Sequence, residues 1–352
     1  MTFADARLAV TPADADAARV ARDRQNQLTK PPGSLGAIED LGVQLAAIAG
    51  TVPPPDPAPV TIAVFAADHG VVGEGVTAWP QDVTAQMLVN FANGGAAINV
   101  LARQVGAAVV VVDVGVATDI PSGLPVVGRR VRAGTRNLAI EAAMTAEETT
   151  AALDVGVAVA EDAIAAGARM LVTGDMGIGN TTAATAIIAA LTGTDPRSIV
   201  GPGAGADVDT LARKAAVISL AVGRLAARPD PLDVLAEVGG LEIAALVGYI
   251  TAAAAHRVPV LLDGLIADAA AVLASELTPA VRDYLIAGHR SAEPAAATAL
   301  EHLDLAPVID MGLRLGEGSG AALAVPLVQA AARILAEMAT FDSAGVSRKI
   351  EE

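Results

Sequence analysis

Short apolar runs, each closing on a polar or glycine-rich patch and separated by helical stretches, constrain this chain more than any other feature. Val60 to Ala66, Ala107 to Val114, Met170 to Thr173, Val258 to Asp263 and Pro307 to Met311 are such runs, with β-branched content. Stretches of roughly 10 to 25 residues with helical composition separate most of them, which argues for a parallel sheet covered by helices on both faces. Runs without polar alternation suit strands buried on both sides. The patches Asp68-His69-Gly70, Asp113-Val114-Gly115, Gly174-Asp175 and Asp263-Gly264 fall at strand ends. Ligands of open α/β sheets bind at the carboxyl ends of the strands, so these patches are expected to converge on one cleft.

The N-terminal part reads differently. Residues 13 to 49 are expected to be helical, broken at Lys30-Pro31-Pro32-Gly33-Ser34, with Ser34 as N-cap of a helix from Leu35 to Ala49. Pro53 to Pro59 then forms a stiff extended linker before the alternating pattern begins.

Composition removes several classes of function. With 23 basic and 39 acidic residues the formal net charge is −16, which disfavours nucleic acid and anionic lipid. Aromatics at 2% are too few for base-stacking platforms. Without cysteine there is no disulfide, thiolate-bound zinc, iron–sulfur cluster or thiol nucleophile. Mean hydropathy is +0.52, yet the uncharged windows Met176 to Thr194 and Gly318 to Ala332 carry Gly, Asn and Thr in one and Pro326 and Gln329 in the other. Neither reads as the ~20 apolar residues of a membrane span. The N-terminus has no secretory pattern, so the expected location is the cytoplasm.

Gly174 to Thr182 reads Gly-Asp-Met-Gly-Ile-Gly-Asn-Thr-Thr, between a strand-like run and the alanine-rich stretch Ala183 to Leu191. A glycine-rich strand-to-helix turn aims backbone N–H groups and a helix N-terminus at one point, as phosphate binding requires. Gly177 and Gly179 would allow the close approach, and Asn180, Thr181 and Thr182 could cap the helix and donate to phosphate oxygens. The same pattern also serves as a plain structural connection. It is neither a Walker A loop nor the dinucleotide fingerprint.

Glu317, between Gly316 and Gly318, can be aimed into a cleft, and apolar surroundings would raise its pKa toward that of a general base. Its other reading is a loop glutamate near a helix N-terminus. Asp175 either turns away from a phosphate, accepts from a sugar hydroxyl, or caps the loop. Gly201 to Gly205, containing Gly203, is a second glycine-rich turn, and Lys214 beyond it could supply a positive charge. Asp263 and Ser291 are further candidates. His69 reads as a base or a structural hydrogen-bonder. His69, His256, His289 and His302 have no metal-ligand spacing, and no Gly-x-Ser-x-Gly elbow is present.

Taken in order, Lys30 to Gly36, Ala67 to Val71, Pro80 to Met87, Gly174 to Thr182, Val238 to Gly240, Pro259 to Gly264, Ser291 to Glu293 and Arg314 to Ala324 resemble the nicotinate-nucleotide–dimethylbenzimidazole phosphoribosyltransferase family. The resemblance runs nearly to the C-terminus, and its sharpest block is Leu315 to Ala324. It implies an inverting transfer of phosphoribose from nicotinate mononucleotide to 5,6-dimethylbenzimidazole, with Glu317 matching the general base. It further implies a donor site including Asp175, Gly177, Gly179, Asn180, Thr181, Gly203, Lys214, Asp263 and Ser291. A base pocket of Trp79, Pro80, Gln86, Met87 and Leu315 is implied too. Two departures stand out: Asp175 occupies a position where many relatives carry glutamate, and Trp79 and Met87 lie where members vary. The expected architecture is a Rossmann-like, doubly wound parallel sheet over residues 57–305, with a small helical domain from 1–56 and 306–352. A homodimer without metal or other cofactor is expected. The alternatives are another acceptor base or phenol, or a non-catalytic sensor of the same nucleotide.

Overall fold

A computed structural model of the chain describes residues 1–203 and 205–348. Ala204, inside the second glycine-rich turn, and residues 349–352 lie outside the described residues. Six strands, β1 (Val60–Ala67), β2 (Ala108–Gly115), β3 (Val126–Gly128), β4 (Met170–Met176), β5 (Val260–Leu262) and β6 (Leu285–Ala287), form one parallel sheet. Their order is β3-β2-β1-β4-β5-β6. Strand order reverses between β1 and β4, and a crevice opens at such a switch point.

Both faces of the sheet are covered, which is why the central strands are continuous apolar runs. Every residue of β1 is buried. Ala63, Phe65 and Ala67 pack on one side with helices Ala146–Ala165, Leu241–Ala255 and Leu265–Leu277. Ile62, Val64 and Ala66 pack on the other with helices Val83–Ala92, Ala97–Val105 and Ser319–Glu337. Phe65 meets Tyr249 edge-on, ring centroids 5.3 Å apart. Helices Ala146–Ala165 and Leu241–Ala255 cross at Gly156 and Gly248. A Cβ on either would overlap a backbone carbonyl of the other helix, Ala245 or Leu153.

Helices Ala15–Gln25 and Ala37–Ala49 pack on the far end of Ser319–Glu337 through Ala21, Val43, Ala46 and Leu335. The Phe3–Ala9 helix instead joins the main core, Phe3 donating its N–H to Asp154 at 2.7 Å. The proline segment, with cis bonds before Pro53 and Pro59, is tied to Ser319–Glu337 by the 2.8 Å Asp56–Arg333 ion pair.

Three expectations need correction. Pro307 to Met311 is not a strand: it runs beside the chain that follows β6 with one bridge, His289 to Ile309, and Val308 donating to the Ala287 carbonyl. The sheet's outer strands are instead β3 and β6, of three residues each. Ser34 is not the N-cap of the third helix, which starts at Ala37 after Gly36. Glu39 holds the preceding turn, accepting from Gly33 and Leu35 and pairing with buried Lys30 at 2.8 Å. Finally, Ser319–Glu337 is long and apolar enough by length and composition to cross a membrane. Here its apolar stripe, including Val325, Val328 and Ala332, lies on the sheet.

Candidate active site

The crevice at the switch point holds a cleft of about 380 Å³. Its walls come from the segment after β1 (Val76 to Trp79), the turn after β4 (Asp175 to Thr181), the second glycine-rich turn (Pro202, Gly203), and Arg314, Leu315 and Glu317.

The turn after β4 delivers a helix N-terminus to this cleft. Helix Asn180–Thr192 begins after Gly179, whose φ of 95° only glycine takes without strain. No side chain caps it, contrary to the capping expected of Asn180 to Thr182. The N–H groups of Asn180 and Thr182 donate to the Gly177 and Gly179 carbonyls, and the helix start, with Asn180 and Thr181 on the cleft wall, turns its positive end to the cleft. Asn180 instead donates its amide to Asp175 Oδ2 at 2.9 Å. From beneath, the His69 side chain lies beside Gly177 with its ring and beside Gly179 with its Cβ, and its Nε2 meets Glu242 Oε1 at 2.8 Å with both side chains fully buried. Burial pulls the His69 pKa down, and the Glu242 carboxylate more than offsets it, leaving the value raised. His69 is thus a prop for the turn.

Lys214 is 1% exposed. Its Nζ donates to Thr181 Oγ1 at 2.8 Å and to the Gly201 carbonyl at 3.1 Å, joining the two glycine-rich turns. Burial lowers its pKa to about 8, opposed by the Glu293 carboxylate. Glu293 and Arg314, which reading the residues one by one did not single out, complete this corner. Glu293 accepts from the Gly203 N–H at 2.8 Å, and Arg314 donates to the Gly203 carbonyl at 2.7 Å. Each falls inside a block that carries the family resemblance, the one signal that marks it.

Glu317 faces the same space. It is 5% exposed and adopts φ 65°. Its Oε2 accepts from the Ile98 N–H at 3.2 Å, a main-chain donor that no side-chain pattern could disclose. Burial raises its carboxyl pKa, and the nearby Asp263 charge adds to the rise. Asp175, 7% exposed, is pushed well above the ordinary carboxylate range by burial and by the Asp263 and Glu242 charges. The cleft therefore holds two carboxyl groups that take up a proton readily, beside an anion-binding corner.

Trp79, Met87 and Leu315 lie on the cleft wall beside Val83, Met176 and Ile178 and give that end an apolar lining. Pro80 and Gln86 are exposed and are not among the residues lining it. Asp263 and Ser291 are buried behind the wall rather than in it, and Ser291 Oγ accepts from the Glu293 N–H at 3.3 Å. Asp113, whose patch was expected to join the cleft, turns instead to Arg130 at 3.2 Å. Among the described residues, no group of three or more His, Asp or Glu side chains is placed to hold a metal ion.

A family model described as Phosphoribosyltransferase matches residues 10–346. A relative from Salinispora tropica, named nicotinate-nucleotide–dimethylbenzimidazole phosphoribosyltransferase, is 52% identical over 97% of this chain and 98% of its own. One of the same name from Roseiflexus sp. is 53% identical over 97% of each chain. The solved structure of the enzyme of that name from Thermus thermophilus superposes with a TM-score of 0.91 at 49% identity, covering 96% of this chain and all of that one. Sheet order, cleft and these likenesses agree: the chain belongs to the nicotinate-nucleotide–dimethylbenzimidazole phosphoribosyltransferase family.

Proposed function

We propose that this protein transfers phosphoribose from nicotinate mononucleotide to 5,6-dimethylbenzimidazole with inversion, giving α-ribazole 5′-phosphate and nicotinate, a step of cobalamin assembly. One observation carries the reading: a carboxylate with a raised pKa, Glu317, shares a cleft with an uncapped helix N-terminus and Lys214. The donor phosphate sits on the turn Gly177 to Thr181, with Gly203 and Lys214 alongside. The acceptor ring lies against Trp79, Met87 and Leu315, flat apolar area against an aromatic and a thioether.

As one ring nitrogen of the acceptor attacks C1′, Glu317 takes the proton from the other. The C1′–N bond to the pyridinium breaks, its electron pair stays on that nitrogen, and nicotinate leaves as a neutral ring. No acid is needed on the leaving group and no diphosphate has to be neutralised, so turnover is expected to survive a chelator. Asp175 holds the donor in place with Asn180.

The protein works as a homodimer in the cytoplasm. Residues 57–305 form the sheet domain that binds nucleotide and base, and 1–56 with 306–352 form a small helical part that shares the cleft through Arg314, Leu315 and Glu317 and leans on the sheet through Ser319–Glu337. Light scattering that gave a monomer of 35.0 kDa at micromolar concentration would remove the dimer. Incubating the protein with nicotinate mononucleotide and dimethylbenzimidazole tests the activity. Release of nicotinate with formation of α-ribazole 5′-phosphate is expected. Donor binding without nicotinate release, with this acceptor or with adenine or a phenol, would leave a nucleotide sensor instead.

A further inference from the structure

Asp263 follows β5 and is 1% exposed. Three main-chain N–H groups converge on its carboxylate: Gly318 on Oδ2 at 3.1 Å, Gly320 and Ala321 on Oδ1 at 2.8 and 3.0 Å. All three belong to the start of helix Ser319–Glu337, where no side chain of the helix itself serves as cap. First-turn N–H groups lack intrahelical acceptors, and a carboxylate at that end also meets the positive pole of the helix dipole. Asp263 therefore caps the helix from another part of the chain.

Asp263 is itself fixed from two sides. Its N–H donates to Thr173 Oγ1 on β4 at 2.9 Å. From the segment after β6, His289 Nε2 lies 3.5 Å from Oδ1. Burial lowers the His289 pKa and the Asp263 carboxylate raises it, with a net rise that favours a charged pair. The ring also fills the space beside Gly320, where any side chain would overlap it. One turn into helix Leu265–Leu277, the Asp268 carboxyl is buried without a partner and pushed well up by burial and by Asp263. His289 is thus the cation beside Asp263, and the Asp268 carboxyl resists carrying a second negative charge there.

The capped helix starts next to Glu317. A glutamate at φ 65° occupies the left-handed region, which a residue with a Cβ enters only under strain. Such a conformation persists where its surroundings hold it. Asp175 holds the Glu317 N–H, Ile98 holds its carboxylate, and Asp263 holds the next residue and the helix beyond.

We propose that Asp263, locked by His289, is the positioning residue for the Glu317 base: it holds the base loop from behind and makes no contact with substrate. This rests on Glu317 being the base. It departs from the donor-binding role that the family resemblance implied for Asp263.

The experiment is a double-mutant cycle between Asp263→Asn and Glu317→Gln, measuring kcat, the donor Kd by calorimetry, and the pH profile. The charged groups facing Glu317 and its loop are Asp263, Asp175, His289, Arg314 on its own segment and, elsewhere on the cleft lining, Lys214 and Glu293. Asp263→Asn alone should lower kcat by up to ~10²-fold, the scale of a misplaced catalytic group, with donor Kd within about twofold. The acidic limb should move to lower pH, since one negative charge that raises the Glu317 pKa is gone. In the Glu317→Gln background, Asp263→Asn should cost almost nothing further, because the group it positions no longer acts. A tenfold weaker donor Kd, or an undiminished loss of kcat in that background, would make Asp263 a ligand and overturn the proposal. Near-normal kcat in Glu317→Gln alone would instead overturn the base assignment. If Asp263→Asn does not fold, His289→Gln carries the same cycle, with a smaller loss of kcat in the same direction expected and an unchanged kcat overturning the lock.

Discussion

The main-chain N–H of Glu317 donates to the main-chain carbonyl of Asp175 at 3.2 Å. The loop after β4 and the loop before helix Ser319–Glu337 are thus joined at the two carboxylates of the cleft, and the two side chains can be separated by experiment.

Glu317→Gln keeps the acceptor for the Ile98 N–H and removes the proton acceptor. Base catalysis contributes ~10²–10⁴-fold, so kcat should fall by that order with donor affinity little changed. In the parent protein kcat should decline as pH falls through a carboxyl pKa above the ordinary 4.5, and the variant should lose this limb. Steady-state rates across pH decide it. Near-normal turnover in the variant would remove Glu317 as the base.

Asp175→Asn acts on the other loop. The Asn180 amide loses its acceptor or meets a second amide, so the donor turn loosens. The donor KM should rise by about tenfold, the worth of one hydrogen bond, while the acidic limb stays. A lost limb with an unchanged KM would exchange the roles of the two carboxylates.

Lys214 should impose an upper pH limit on donor binding. Its ammonium, with a pKa of about 8, loses its charge as pH rises through that value. Calorimetric donor Kd should therefore be flat below pH 8 and weaken above it. Lys214→Met should bind the donor weakly at every pH, with no break near 8. A parent Kd that holds to pH 10 would mean that the ammonium does not meet the phosphate.

The His69–Glu242 pair bears on stability. Breaking a buried ion pair by removing one partner costs about 3–5 kcal/mol, so His69→Ala should lower the denaturation midpoint sharply. The folded-state pKa of His69 lies above the ordinary 6.5. The pair's contribution is thus complete below 6.5 and is lost as pH rises through the folded value. The gap in unfolding free energy between parent and variant should narrow with rising pH in denaturant titrations. A gap that widens with pH would mean the ring is held neutral.

Gly248→Ala tests the helix crossing. Its new methyl would overlap the Leu153 carbonyl, and overpacking of this kind costs about 1–3 kcal/mol or more. A chemical-denaturation midpoint matching the parent's would show that the two helices part without penalty.

The sequence disclosed the sheet where strands are long and buried on both faces. In β1, β2 and β4 apolar residues run unbroken because each side meets helices. β6 was invisible because Leu285-Ile286-Ala287 is no longer than many chance apolar triplets. Pro307 to Met311 mimicked a strand because it is extended, yet it pairs only along one edge. At the site, the flanking glycines left Glu317 open between a base and a plain loop glutamate, and the glycines after β4 left that turn open between a binding loop and a connection; both line the cleft. The placement of Asp263 was not, since a carboxylate at a strand end looks alike whether it meets a ligand or caps a distant helix. Nor was Ile98, whose part is played by its backbone.

Helix Ser319–Glu337 has its base loop at one end and the N-terminal helices at the other. Nineteen residues at 1.5 Å each make a rod of about 28 Å. Its far end is gripped by Arg24, which donates to the Leu335 and Ala336 carbonyls at 2.6 and 3.1 Å, and by packing of Leu335 on Ala21 and Val43. For a rod of that length, a tilt of only about 2° swings the near end by about 1 Å, enough to spoil the aim of a base. Helices Ala15–Gln25 and Ala37–Ala49 thus stand as a remote mount for the base loop, and substitutions at the mount are expected to lower turnover more than donor affinity.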